Sequence, residues 1–159
     1  MGFIIRKSEQ KDMPSLLNLI KELAIFEKEP DAVKIGVDDL IKYGFNETPS
    51  FNSLVAESEN NIVGMALFYN RFSTWAGPSI HLEDLIVTEK YRGLGIGKAL
   101  YDKVLEFALM NNVQRVEWVV LDWNKPAIDF YKGTGATMLE DWNICQINNE
   151  SIRKYLSNK

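Results

Sequence analysis

The sequence predicts an α/β fold, with strands and helices interleaved around one core, on three observations. Residues 80–121 read strand, Gly-rich turn, helix, strand, with Arg92-Gly93-Leu94-Gly95-Ile96-Gly97 as the turn. Two β-rich runs, 53–57 and 62–69, flank Glu59-Asn60-Asn61 in the manner of a hairpin. Near the start, Leu16, Ile20, Leu23 and Ala24 recur at helical spacing behind a short β-rich run. The 159 residues, 46% hydrophobic, suffice for one core and are too few for two, so residues 1–159 are expected to form a single domain.

Taken in order, residues 3–6 read as a strand, and Asp12 with Pro14 opens the first helix, which runs out at Glu27, Glu29 and Pro30. Residues 37–43 offer a second short helix that Gly44 ends. After the hairpin, residues 73–78 make a turn into the strand Ile80-His81-Leu82-Glu83-Asp84-Leu85-Ile86-Val87. Its in/out alternation is interrupted by two adjacent acids, and a β-bulge there explains both. Ile96, Leu100, Val104, Phe107 and Ala108 mark one face of a long helix fading at Asn111-Asn112, and residues 113–121 return as a strand. Asn124 caps a helix carrying Phe130 and Tyr131 that ends at Gly133 and Gly135, and residues 136–147 supply a last hairpin or bent strand.

Composition narrows the function classes. A net charge of -4 and a pI near 5.1 offer no basic field for a polyanion, so nucleic acid is not an expected partner and a cationic small molecule fits better. Cys145 is the only cysteine and His81 the only histidine, so neither a disulfide, a zinc-spaced cluster nor a Cys/His dyad is expected, and no metal. No run approaches a membrane span, and Arg6 stands where a myristoylation signal has Ser or Thr. The start lacks a charged leader followed by an apolar run, so the expected location is cytoplasmic, with no membrane partner.

The residues 91–98 carry the chemistry. Glycines between a strand and a helix let successive N–H groups turn toward one anion, and a pyrophosphate there meets the positive end of the helix dipole. A Walker loop would need Gly at Arg92 and Ser or Thr at Ala99, and Gly93-x-Gly95-x-Gly97 lacks dinucleotide spacing, so both rival phosphate motifs fail. The short motif also reads as an ordinary Gly-rich turn with an exposed arginine.

Arg92-x-x-Gly95-x-Gly97 after a strand resembles the pyrophosphate signature of GNAT acetyltransferases. Leu82-Glu83-Asp84-Leu85-Ile86-Val87 before it and Asp122-Trp123-Asn124-Lys125-Pro126-Ala127-Ile128-Asp129-Phe130-Tyr131-Lys132 after it follow in family order. With Leu19-Ile20-Lys21-Glu22-Leu23-Ala24 and Gly135-Ala136 they resemble the spermidine/spermine branch, which includes thialysine acetyltransferases, over nearly the whole chain.

The resemblance implies a mixed, mostly antiparallel sheet of six to seven strands flanked by about four helices, its fourth and fifth strands splayed into a cleft for the pantetheine arm of acetyl-CoA. Leu85, Ile86 and Val87 would pair with that arm through their backbones, and an amide N–H near Leu85 would polarise the acetyl carbonyl. Arg92, Gly93, Leu94, Gly95, Ile96, Gly97 and Lys98 would hold the pyrophosphate, and Asn124, Lys125, Pro126, Ala127 and Tyr131 the rest of the donor. Glu83 would accept the amine proton, and Tyr131 would protonate the departing thiolate. Glu27, Glu83 and Asp84 would face a polyamine, diamine or lysine-like amine, with Glu29 adding to the negative field and a homodimer expected.

Each residue has a plainer reading beside this one. Glu83 also fits a solvated strand charge, Tyr131 a packing tyrosine, and residues 27–29 a solvated helix end. Glu117, Trp118 and Trp142 fit a substrate wall or the core equally, while His81 and Cys145 read as a strand histidine and a buried small residue. Two departures from the branch bear on the acceptor: a tight turn at residues 58–62 where some relatives carry an insertion, and fewer basic residues in 131–135. Acetylation of a peptide amine, and acyl-CoA sensing without turnover, remain the alternatives.

Overall fold

A computed structural model describes residues 2–158 of the chain, which divide into two units, one ending at Val119 and one beginning at Val120. The first holds a five-stranded sheet in the order β1-β2-β3-β4-β5, made of Ile4–Lys7, Asn52–Ser58, Asn61–Ser73, Gly77–Val87 and Arg115–Glu117. The first four strands are antiparallel and consecutive, and β5 joins β4 in parallel. A parallel neighbour needs a crossover, and α3, Ile96–Met110, makes it.

Residues 63–68 of β3 are all buried, which an alternating strand achieves only when both faces of the sheet are covered. On one face α1, Met13–Phe26, and α2, Val37–Gly44, close over it. Met13, Leu16, Leu17, Leu19 and Leu40 pack there with Val55, Met65 and Ile86. On the other face α3 brings Phe107 edge-on to Phe68, with ring centroids 5.1 Å apart. Asp12 caps α1 by position while its carboxylate takes two bonds from Arg6, at 2.7 and 3.0 Å, tying β1 to the helix start.

The β2–β3 hairpin turns through Glu59 and Asn60, both with positive φ, the conformation a two-residue turn requires. On β4 the expected bulge is present: Leu67 opposes Asp84 and Phe68 opposes Leu82, leaving Glu83 as the extra residue. The β4–β5 ladder runs only over Ser79–Arg115, Ile80–Val116 and His81–Glu117. From Leu82 onward β4 is laddered to β3 alone among the described residues, so the sheet opens between its fourth and fifth strands.

The second unit contains α4, Lys125–Gly133, and α5, Asn149–Ser157. Here the structure differs from expectation. Residues 136–147 form neither hairpin nor strand, and β5 is three residues long where a run over 113–121 was expected. The described sheet therefore has five strands rather than six or seven, and five α-helices stand where about four were expected. Apolar alternation makes a strand only where a neighbouring edge takes up its N–H and C=O groups. No ladder reaches residues 136–147 in this structure. Helix α5 went unread although Asn148 accepts from the Ser151 N–H in an ordinary N-cap.

Gly64 marks the tightest packing beneath the open half of β4. A Cβ there would meet the Ile86 carbonyl oxygen at 2.9 Å and a Leu100 methyl at 3.3 Å, and a backbone oxygen cannot swing aside. Gly64→Ala should lower unfolding free energy by about 1–3 kcal/mol in urea titrations, the usual cost of overpacking. An unchanged midpoint would show that β3 and β4 separate there without strain.

Candidate active site

Gly93 and Gly95 have φ of +78° and +81°, and no heavy atom lies within 4 Å of the place a Cβ would take at either. The loop is thus turned by backbone torsion and left open. Gly95 is the N-cap of α3 and contributes no side-chain bond, so the first-turn N–H groups face outward without a side-chain cap. This geometry suits a phosphate-bearing ligand. Arg92 is exposed and lies back against the end of β4 and α1. Its Nε donates to the Val87 carbonyl at 2.9 Å, its guanidinium lies over the Phe26 ring at 5.4 Å, and a terminal nitrogen sits 3.8 Å from Glu22. It braces the end of β4 against α1, while Lys98 pairs with Asp102 one turn along α3.

Leu85, Ile86 and Val87 pair on one side with Ala66, Met65 and Gly64, leaving the other edge without a strand. At the head of that edge the bulge changes which side chains face out: Leu82 is buried, Glu83 exposed, and Asp84 half-buried. Glu27, at the end of α1, lies close enough to act on Asp84. Burial first, then the charges of Glu83 and Glu27, push the Asp84 carboxyl up to about 7. Desolvation also raises Glu27. The three acids assigned to the acceptor are thus one cluster, and it favours a cation.

Tyr69 and His81 join this cluster; the sequence reads His81 only as a strand histidine and does not single out Tyr69. Tyr69 lies near the Glu83 carboxylate, and burial, then that anion, raise its value. His81 faces Tyr69 across the β3–β4 ladder with ring centroids 5.3 Å apart. The available signal was register, since a hairpin closing near residue 75 sets Tyr69 opposite His81, two residues before Glu83. Glu117 is held by Arg71 and Arg115, and Trp118 meets Tyr101 edge-on at 5.6 Å.

The remaining assigned residues belong to the second unit. The Asn124 side chain accepts from the Ala127 N–H at 3.4 Å, and Lys125 and Pro126 begin α4. Tyr131 is buried on that helix, its ring 5.3 Å from Phe130. Trp142 and Cys145 are exposed, so the expectation that Cys145 is buried does not hold.

Residues 14–136 match the acetyltransferase (GNAT) family. The chain belongs to the GNAT acetyltransferase family. Within it, this GNAT chain is 41% identical to a thialysine N-epsilon-acetyltransferase of Bos taurus, over 97% of its own length and 98% of the relative's. It is 34% identical to a spermidine/spermine N(1)-acetyltransferase-like protein 1 of Homo sapiens, over 94% of this chain and 23% of that protein. An integron cassette protein from the mobile metagenome of V. cholerae superposes with a TM-score of 0.78, covering 98% of each chain at 23% identity, a likeness of fold. The match places this acetyltransferase in the diamine and thialysine branch. No described helix is long and apolar enough to cross a membrane, and no group of three or more metal-ligating side chains occurs among the described residues.

Asp84 gives this acetyltransferase a pH signature. Its value rises from 3.8 to about 7 on folding, so between those limits the folded chain holds a proton the unfolded chain releases. Stability therefore falls as pH rises through that window. Asp84→Asn removes the penalty: urea unfolding at about pH 8 should show a gain on the order of 1–3 kcal/mol, and at about pH 4 no difference. Equal stability at both values would mean that Asp84 ionises without cost.

Proposed function

We propose that this acetyltransferase moves the acetyl group of acetyl-CoA to a primary amine of a small cationic substrate, a polyamine, diamine or lysine-like amine, by direct attack in a ternary complex. The cluster of Glu27, Glu83 and Asp84 at the open edge of β4 carries this reading, because it offers a desolvated negative surface where the acceptor would meet the donor. The names of the relatives agree with it, thialysine and spermidine/spermine both being cationic amines.

Acetyl-CoA supplies the activated thioester. The free edge of Leu85, Ile86 and Val87 receives its pantetheine arm as an added strand, and Gly93 to Lys98 take the pyrophosphate. Asn124, Lys125, Pro126 and Ala127 close on the rest of the donor. Glu83 accepts the amine proton, being exposed on the bulge with Tyr69 beside it. Tyr131 returns a proton to the departing thiolate, since a phenol with a pKa near 10 stays protonated at neutral pH. Residues 1–159 act as a single domain in this reading, in a cytoplasmic homodimer with no nucleic-acid or membrane partner and no metal.

Thiol release from acetyl-CoA should occur with polyamines, diamines or lysine analogues. Glu83→Gln and Tyr131→Phe should each lower kcat by about 10²-fold or more, in the range of general acid–base groups. Turnover on peptides alone would move the chain to protein modification, and donor binding without turnover would make it a sensor. A diamine bound beside Asp84 favours the carboxylate and should expel a proton at pH values just below 7. Calorimetry in two buffers of different ionisation enthalpy reads that release, and identical heats would place the amine elsewhere.

A further inference from the structure

His81 is the only histidine of the chain, and the proposed transfer leaves it without a task. It stands in one row across three strands, with Tyr69 opposite on β3 and Glu117 opposite on β5. Its Nε2 lies 3.6 Å from Oε2 of Glu83, and its Nδ1 lies 4.0 Å from Oε1 of Glu117. The side chain is 15% exposed, and Nδ1 is buried with no hydrogen-bond partner. An unprotonated Nδ1 would turn a lone pair toward a carboxylate, whereas an N–H there is attracted by it.

The groups facing this ring are Tyr69 and Arg71 from β3, Glu83 from β4, and Arg115 and Glu117 from β5. The two arginines are engaged by Glu117, so the ring meets carboxylates on both of its nitrogens. An imidazole is suited to take up and return a proton near neutral pH.

We propose that His81 is the proton relay of this site, receiving from Glu83 the proton that Glu83 has taken from the amine. The step rests on Glu83 as the base. The Oε2–H bond of Glu83 breaks and an Nε2–H bond forms, giving an imidazolium whose Nδ1–H faces Glu117. Glu83 is again an anion when product leaves, and Nε2 then gives the proton to water. Glu117, fixed by Arg71 and Arg115, holds the charged ring in place. His81 acts through Glu83 and is a positioning residue, not a group that touches the amine.

Because His81 is the sole histidine, its ring can be followed directly by ¹⁵N NMR in the untagged full chain. The ¹⁵N shift of Nε2 should change in Glu83→Gln and that of Nδ1 in Glu117→Gln, since each substitution alters the carboxylate that faces that nitrogen. In steady-state kinetics His81→Gln should lower kcat on the order of 10²-fold, the lower end for a proton-transfer group, with KM for acetyl-CoA unchanged and the ascending limb of the kcat pH profile displaced. Added imidazole should restore part of the rate. Ring-nitrogen shifts indifferent to both carboxylates, or a His81→Gln enzyme with the parent kcat and pH profile, overturn the relay. Activity lost in Glu83→Gln but kept in His81→Gln overturns the relay alone. A parent protein silent with every amine overturns the functional reading instead, and the NMR titration still decides whether His81 and Glu83 share a proton.

Discussion

The ladder between β3 and β4 is the constraint on which the rest of the molecule depends. Its β3 side is buried on both faces, by α1 and α2 above and α3 below, so its register cannot slip without moving every core side chain to the wrong face. Within that fixed frame one extra residue has been admitted, Glu83, opposite the step from Leu67 to Phe68. The bulge is what lets Glu83 leave the core and Asp84 stop half-buried on a strand that is otherwise buried at Ile80, Leu82, Ile86 and Val87. A regular strand would have sent one of them inward.

The same strand serves two neighbours unequally. Its first half is pinned by β5 through three residue pairs, and its second half keeps a free edge. The acids stand where the ladder ends, so the part of the strand that keeps exchangeable hydrogen-bonding groups begins beside the part that carries charge. Burial makes that charge costly, and Asp84 answers by holding its proton up to about 7. A site that pays in this way is poised to gain most from a cation, which supplies the missing counter-charge.

Much of this was legible in the residues. The hairpin, the first helix, the Gly-rich turn with its following helix, and the bulge at Glu83 all follow from local rules of spacing, torsion and capping, and the structure has each of them. What was not legible depended on partners distant in sequence. Residues 136–147 have strand-like alternation, but a strand exists only with an edge to pair with, and no local pattern reports that edge. Arg92 stands in a phosphate-binding motif, and its contacts with the Val87 carbonyl and with Phe26 of another helix are tertiary ones that no local pattern reports. His81 and Tyr69 are unremarkable alone, and their place beside Glu83 comes from cross-strand register and the β5 crossover.

The contacts of Arg92 bear on how the Gly-rich loop would meet an anion. Arg92 is held by a carbonyl, a ring and Glu22, and Lys98 by Asp102, so each of these exposed cations has an acidic neighbour. What remains to recognise a polyanion is the set of neutral N–H dipoles of the loop and first helical turn, whose reach is short. Attraction of that kind is felt on contact rather than at a distance, and dissolved ions have little to screen. On a chain of net charge -4, ionic strength should then act on a polyanionic ligand mainly through the overall repulsion, which added salt relieves.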